Sequence, residues 1–402
     1  MTLETYISSL SLPTNLITMA GNLPTIFALI LSAGCCGILM AMYFTNQPIR
    51  RPDIVVCPPV SSDFVHTRKV FRSTRKISNV LIITHPRSGS TFTGDIIQKS
   101  KDSFYAFEPL RFVAESMELG QPVVFLNGSR RVYNYTQDAA WVEADLLYRW
   151  FTCDFCRINL KDLQSKFIGS FSTNLHNYAR CLKRYNVYPM SRCIMHLQRT
   201  CEKAKVRSVK TVRLLNLESV PILLKMIPDL KVIYLVRDPR GRLASQAALD
   251  PKEWNIVQRK AKDMCSQLYE EFNHLIEIEK YNTNRLKFII YEKIALDPIQ
   301  MSKRMFMFLD MNFSINEELF VKSITRAAFD KSGCYWCTKR TNSNETATRW
   351  RKTIDFGYVK TIDFECIEAY NALGYTEFTD ESHLRNMSVS LTKEAYNQRI
   401  FL

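Results

Sequence analysis

An apolar run that breaks into a short glycine loop constrains this chain more than any other feature. Val80-Leu81-Ile82-Ile83-Thr84 leads directly into His85-Pro86-Arg87-Ser88-Gly89-Ser90-Thr91-Phe92. The run reads as a buried strand, and Thr91–Lys99 as the helix that follows it. A strand, a tight loop and a helix N-terminus make an anion cradle, because the first helical N–H groups lack backbone partners and the helix dipole favours negative charge. Gly89 is followed by Ser90, not by lysine. A P-loop kinase or nucleotide triphosphatase requires that lysine for its triphosphate, so the loop is either a cradle for another kind of phosphate ligand or a plain strand-to-helix turn.

Four more apolar runs read as strands: Ser103–Phe107, Ser208–Val212, Lys231–Val236 and Leu286–Tyr291. Helical patterns fall between or after them at Trp141–Trp150, Leu217–Met226, Trp254–Lys280 and Gln300–Leu309. Buried runs joined by amphipathic helices predict an α/β domain with a parallel sheet covered on both faces. Ligands of such sheets sit outside the carboxyl ends of the strands. A second polar motif lies at one of those ends. Lys231–Val236 runs into Arg237-Asp238-Pro239-Arg240-Gly241-Arg242-Leu243-Ala244-Ser245, with Arg237 150 positions after Arg87. Three arginines and a serine there can hold a second phosphate through charge-assisted hydrogen bonds. The bland alternative is an Arg–Asp pair that caps a helix.

The N-terminal part has a different character. Thr25 to Phe44 carries no charge over twenty residues. As a helix it is about 30 Å long, enough to cross a bilayer core. The reading is a tail at 1–24, an uncleaved anchor at 25–44, a proline-punctuated stem at 45–76 and a globular domain at 77–402. Arginines and lysines just after the anchor, from Arg50 to Lys76, argue for a cytoplasmic body by the positive-inside rule. Ten cysteines beyond the span and sequons at Asn127, Asn134, Asn312, Asn344 and Asn386 argue for an oxidising lumen, and they outweigh the charges because large domains translocate regardless. Cys153-x-x-Cys156 and Cys334-x-x-Cys337 have metal-like spacing but stand too far apart for one compact zinc ribbon. Structural disulfides of open connectivity are the better reading. The formal net charge of +15 points to an acidic partner or to plain solubility. Nucleic acid fits poorly with a disulfide-rich lumenal body.

The ordered pair of motifs resembles the sulfotransferase family, in particular the Golgi carbohydrate 6-O-sulfotransferases that act on galactose, N-acetylglucosamine or N-acetylgalactosamine in keratan and chondroitin chains. The likeness continues in Phe104-Tyr105-Ala106-Phe107-Glu108-Pro109-Leu110, Lys210-Thr211-Val212-Arg213, Tyr291-Glu292-Lys293, Asn344–Arg351 and Ser388–Leu391, and so spans about 77 to 392. It implies a P-loop-like sulfotransferase fold behind a single N-terminal transmembrane helix, in a type II Golgi membrane protein. It also implies a glycan or proteoglycan acceptor, no metal, and 3′-phosphoadenylyl sulfate as co-substrate. Arg87, Ser88, Gly89, Ser90, Thr91, Phe92 and Thr93 would then hold the 5′-phosphosulfate. Arg237, Asp238, Pro239, Arg240, Gly241, Arg242, Leu243, Ala244 and Ser245 would hold the 3′-phosphate.

Sulfuryl transfer needs an aligned acceptor hydroxyl and stabilised charge on the leaving phosphate. Arg87, standing where cytosolic relatives carry lysine, is assigned to that phosphate as a fixed charge. Glu108, 21 positions further on and at a strand end, is the candidate base for the acceptor; the alternative is a structural carboxylate paired with Arg111 or Arg213. Lys210 and Arg213 either hold the sulfonate or an acidic acceptor, or form a solvated pair. Trp350 either stacks on a ring of a ligand or is a buried tryptophan at a helix start. An inactive glycan- or nucleotide-binding protein of the same fold is the competing reading of the whole chain.

Overall fold

The computed structural model describes residues 77–184, 190–329, 337–393 and 400–402. The expected tail, anchor and stem, residues 1–76, lie outside the described residues, as do Cys57 and Cys334. Among the described residues no helix is long and apolar enough to cross a membrane.

Five strands form one sheet: β1 (Ser78–Thr84), β2 (Ser103–Phe107), β3 (Val206–Thr211), β4 (Leu230–Val236) and β5 (Leu286–Ile290), in the order β2-β3-β1-β4-β5. Every pairing is parallel. The two-residue side-chain period explains why the runs are apolar throughout rather than alternating. In β1, Leu81 and Ile83 enter a core on one face, while Val80 and Ile82 enter a separate core on the other. β4 repeats the division, with Val232, Tyr234 and Val236 on the first face and Ile233 and Leu235 on the second. Each such fully buried aliphatic side chain contributes roughly 1.5–3 kcal/mol.

The helices divide accordingly. The first face is covered by α3 (Ala139–Thr152), α4 (Ser219–Met226), α6 (Val257–Tyr281) and α11 (Phe356–Leu373). The second is covered by α1 (Ser90–Gln98), α7 (Tyr291–Leu296), α8 (Pro298–Phe308), α9 (Ile315–Thr325) and α10 (Ser343–Thr348). On the first face as well, α2 (Arg111–Glu118) follows β2, and α5 (Pro239–Ala247) follows β4. The expected strands all form, each within two residues of its expected ends. Tyr291 opens α7 instead of closing β5, and a 3-10 turn at Pro251–Ile256 precedes α6 where the sequence pattern already reads as helix.

Disulfides join Cys153 to Cys201, Cys181 to Cys193, and Cys265 on α6 to Cys366 on α11. Cys156 and Cys337 are disulfide-bonded as well. Cys153 therefore bonds outside its Cys-x-x-Cys pair, which removes it from any zinc ribbon. No group of three or more His, Cys, Asp or Glu among the described residues could hold a metal ion.

Parallel pairing puts all five strand ends on one edge. Thr84 lies opposite Leu235, Ile83 opposite Thr211, Phe107 opposite Lys210, and Val236 opposite Ile290. Strand order reverses at β1, so the loop after β1 sits at the topological switch point, where open α/β sheets bind ligands.

Candidate active site

The loop after β1 is shaped by two left-handed residues, Arg87 (φ 67°) and Gly89 (φ 83°). Glycine is required at the second. A Cβ there would stand 2.2 Å from a ring carbon of Tyr291. As N-cap of α1, Gly89 offers no side chain to the first helical N–H groups, and the first turn holds no acid. A helix start of this kind can accept an anion. Ser88 and Ser90 are buried within the loop, as are Phe92 and Thr93, whereas Thr91 is half-buried.

The second motif meets the first directly. Arg87 Nε donates to Ser245 Oγ at 2.9 Å, and Arg237 Nη1 donates to the Arg87 carbonyl at 2.8 Å. Arg237 also lies over the Tyr291 ring, 4.9 Å from its centre. Burial lowers the pKa of Arg87, and the charges of Arg237 and Arg340 lower it further. Three guanidinium groups thus crowd one edge. Arg340 belongs to neither motif. Its backbone bonds to Ile324 and Ala327 hold it against the end of α9, and nearby Thr338 donates to Asp95 of α1 at 2.7 Å. No strand end or glycine turn precedes it, so the sequence offers no sign of it.

Other members of the second motif serve the fold. Asp238 caps α5 by accepting from the Arg240 backbone at 2.9 Å, with Pro239 at the first position of the helix. Arg240 is wholly buried, with its guanidinium bound to Asp238, Asp363 and the Thr376 carbonyl and packed on Trp350, Tyr370 and Phe378. Its hydrogen-bonding capacity is largely spent inside the protein. Leu243 packs in the core, Ala244 packs against it, and Gly241 lets Trp350 approach, since a Cβ would lie 3.0 Å from the indole nitrogen. Trp350 is buried, which matches the helix-start alternative, and Arg351 bonds the carbonyls of Leu384, Asn386 and Val389. Arg242 is buried and lowered to about 10 by that burial. The buried Arg237 Nε, Arg242 Nε and Trp350 Nε1 atoms have no hydrogen-bond partner.

Two carboxylates brace this edge. Glu292 accepts from the Asp238 backbone and from the Tyr375 hydroxyl, and burial followed by the Asp238 charge raises it to about 7. On the other sheet face, His85 meets Glu271 at 2.6 Å and the Tyr234 hydroxyl at 3.0 Å. Burial works upward on Glu271, but the bonds from His85 and Tyr234 hold it below the usual carboxylate value.

Glu108 stands at the end of β2, in a left-handed conformation (φ 54°) and 7% exposed. Its oxygens meet Lys210 Nζ at 2.5 Å and Arg213 Nη1 at 2.6 Å. Arg111, the other candidate partner, instead lies over the Phe167 ring at 4.4 Å. Lys210 is buried inside β3 and packed on Phe107 at 3.8 Å; burial is the main cause of its lowered pKa. One strand separates β1 from β2, so the Glu108 and Arg87 strand ends lie about 10 Å apart. That gap suits a reacting group held between an anion cradle and a carboxylate.

The family model "Sulfotransferase domain" matches residues 78–380. Human carbohydrate sulfotransferase 3 is 26% identical over 352 residues, covering 79% of this chain and 71% of its own. Zebrafish (Danio rerio) carbohydrate sulfotransferase 1 is 25% identical over 362 residues, covering 81% and 84%. Among solved structures, mouse sulfotransferase SULT7A1 complexed with PAP aligns with a TM-score of 0.36 at 13% identity, covering 73% of this chain and 84% of its own. Retinol dehydratase in complex with retinol and PAP aligns with a TM-score of 0.35 at 16% identity, covering 73% and 82%. A family match that begins at the first strand of the sheet and takes in both arginine motifs and the Glu108 strand end leads to one conclusion: the chain belongs to the sulfotransferase-domain family.

Proposed function

We propose that this protein transfers a sulfuryl group from 3′-phosphoadenylyl sulfate to a glycan, with the 6-hydroxyl of a galactose, N-acetylgalactosamine or N-acetylglucosamine residue as acceptor. The observation that carries the reading is the crowding of Arg87, Arg237 and Arg340, with buried guanidinium and indole N–H groups left unpaired beside them. Buried like charges and orphan donors are costly unless an anion completes them. Two linked loops at neighbouring strand ends fit a nucleotide with phosphate groups at both ends of one nucleoside. The carbohydrate class rests on the names of the relatives.

The donor supplies an activated sulfuryl group. As the new S–O bond forms to the acceptor oxygen, the S–O bond to the 5′-phosphate breaks, and adenosine 3′,5′-bisphosphate leaves. Arg87 and the α1 N–H groups stabilise the charge that grows on that phosphate. Glu108 takes the acceptor proton. Its ion pairs orient it, and the half-exposed Arg213 is the partner that can yield to an incoming hydroxyl. The disulfides and the exposed Asn134, Asn312, Asn344 and Asn386 support a lumenal body, and with it a type II Golgi protein anchored through residues 25–44.

The test is direct. Residues 77–402, secreted, receive labelled sulfate donor and a panel of keratan, chondroitin and oligosaccharide acceptors. Labelled product at a 6-hydroxyl supports the reading. Donor binding with no transfer to any acceptor identifies a binding protein instead.

A further inference from the structure

Glu108 holds a backbone conformation that a non-glycine residue adopts at a cost of about 1–3 kcal/mol. Such strain persists only where the surroundings enforce it. Upstream, its own N–H donates to the Lys210 carbonyl at 2.8 Å. Downstream, the chain turns at Pro109-Leu110 into α2, whose N-cap, Leu110, is buried and makes no side-chain cap. The cap comes instead from 50 positions away. Asp162 Oδ1 accepts from Phe112 N–H at 2.9 Å, and Oδ2 accepts from Val113 N–H at 3.3 Å and from Asn159 Nδ2 at 3.0 Å.

The partner of Glu108 is held in the same way. Arg213 sits on the loop after β3. Two residues later that loop donates Leu215 N–H to Glu143 Oε1 at 2.5 Å and Asn216 N–H to Oε2 at 3.2 Å. Glu143 projects from α3, which covers the first sheet face. Both carboxylates are 1% exposed. Neither is closed by an ion pair at hydrogen-bond distance, although the Arg213 charge acts favourably on Asp162. Burial raises Asp162 to about 7 and Glu143 to about 8, against the pull of these backbone bonds. Two nearly inaccessible acids, drawn from separate elements, therefore pin consecutive N–H groups on the first turn of α2 and on the loop after β3, the two segments that flank one ion pair.

We propose that Asp162 and Glu143 are positioning residues: Asp162 enforces the strained turn that aims Glu108, and Glu143 fixes the loop that presents Arg213 to it. The proposal rests on Glu108 as the acceptor base. Neither acid touches a reacting group, and each acts through backbone amides. An ångström of misplacement at a reacting group costs about 100-fold in rate, and an amide in place of a carboxylate loses one of the two acceptor contacts without changing side-chain volume.

The experiment uses Asp162→Asn, Glu143→Gln and Glu108→Gln in the secreted domain. Two readouts are taken: steady-state kinetics, and hydrogen exchange of the amides at 112, 113, 215 and 216, with adenosine 3′,5′-bisphosphate affinity as a control. Asp162→Asn and Glu143→Gln are each expected to lower kcat about tenfold or more, leave donor KM and bisphosphate affinity within twofold, and lose protection only at their own pair of amides. The two variants act on different segments, so Glu143→Gln carries the test if Asp162→Asn fails to fold. Unchanged kcat, or loss of bisphosphate affinity in step with kcat, overturns the proposal. Full activity in Glu108→Gln overturns the base assignment instead; loss of protection at 112 and 113 in Asp162→Asn would still establish the pinning.

Discussion

The two ends of the active edge handle charge in opposite ways. At the β1 and β4 ends, Arg87, Arg237 and Arg340 gather with buried N–H groups left unpaired. At the β2 and β3 ends, Glu108 is closed by Lys210 and Arg213, and the backbone around it is capped by Asp162 and Glu143. Crowded like charges beside unpaired buried donors are an arrangement that an anion would stabilise. Charge closed internally marks machinery that must already be in place when the ligand arrives. The carboxylate of Glu292, close to the arginines, stays 4.0 Å from Arg237 Nε, beyond hydrogen-bond reach, whereas a lone carboxylate at the other end would be expensive to bury.

The comparison can be broken at either end. The largest effect is expected from Glu108→Gln, which should lower kcat by about 10²–10⁴ while calorimetry shows unchanged bisphosphate binding. Unchanged turnover would reduce Glu108 to a structural carboxylate. Lys210→Met should destabilise the fold by about 1.5–3 kcal/mol, the worth of one buried charged hydrogen bond, because Glu108 keeps Arg213 as its remaining cation. Arg237→Met should cost the unliganded protein less, since the loss of its bond to the Arg87 carbonyl and of its 4.0 Å pairing with Glu292 is offset by relieved repulsion with Arg87; denaturant melts of the two variants test that asymmetry directly. Arg237→Ala should weaken bisphosphate binding by about 10- to 100-fold, the worth of charge-assisted bonds of roughly 1.5–3 kcal/mol. Equal losses of binding in Arg237→Ala and Glu108→Gln would erase the distinction between the ends.

The smallest effect concerns pH. Glu143 and Asp162 are raised above their unfolded values, to about 8 and about 7, so the folded state holds their protons more tightly than the unfolded chain does. The stability linked to this pair is fully present below the unfolded values, near 4 to 4.5, and is lost as pH rises through about 7 to 8. Thermal midpoints taken from pH 5 to pH 9 should fall by a few degrees more in the wild type than in Glu143→Gln. Parallel curves would show that Glu143 does not carry the linkage.

The sheet was legible because burial on both faces demands unbroken apolar runs, and Val80–Ile83 or Val232–Val236 can be little else. The loops were legible because an αL glycine and a proline-opened helix leave local signatures. The site was only partly so. Arg240 and Arg242 sit in one motif and look alike in sequence. In the fold, Arg240 is closed by Asp238, Asp363 and Thr376, while Arg242 keeps an unpaired Nε. Trp350 invited a stacking role and proved to be packing for α5. Arg340, Asp162 and Glu143 escaped notice because each reaches its partner across a long stretch of chain.

Residue order alone specified the parallel sheet, the two arginine-bearing loops at its edge and the candidate carboxylate at the end of β2. These are local matters: side-chain period, helix-start chemistry and turn residues act within a few positions. Only the tertiary structure decided which of the buried charges are closed and which stay open. That choice depends on partners brought in from far along the chain, as Asp363 is to Arg240 and Lys210 to Glu108, and on a burial that makes each unpaired group costly.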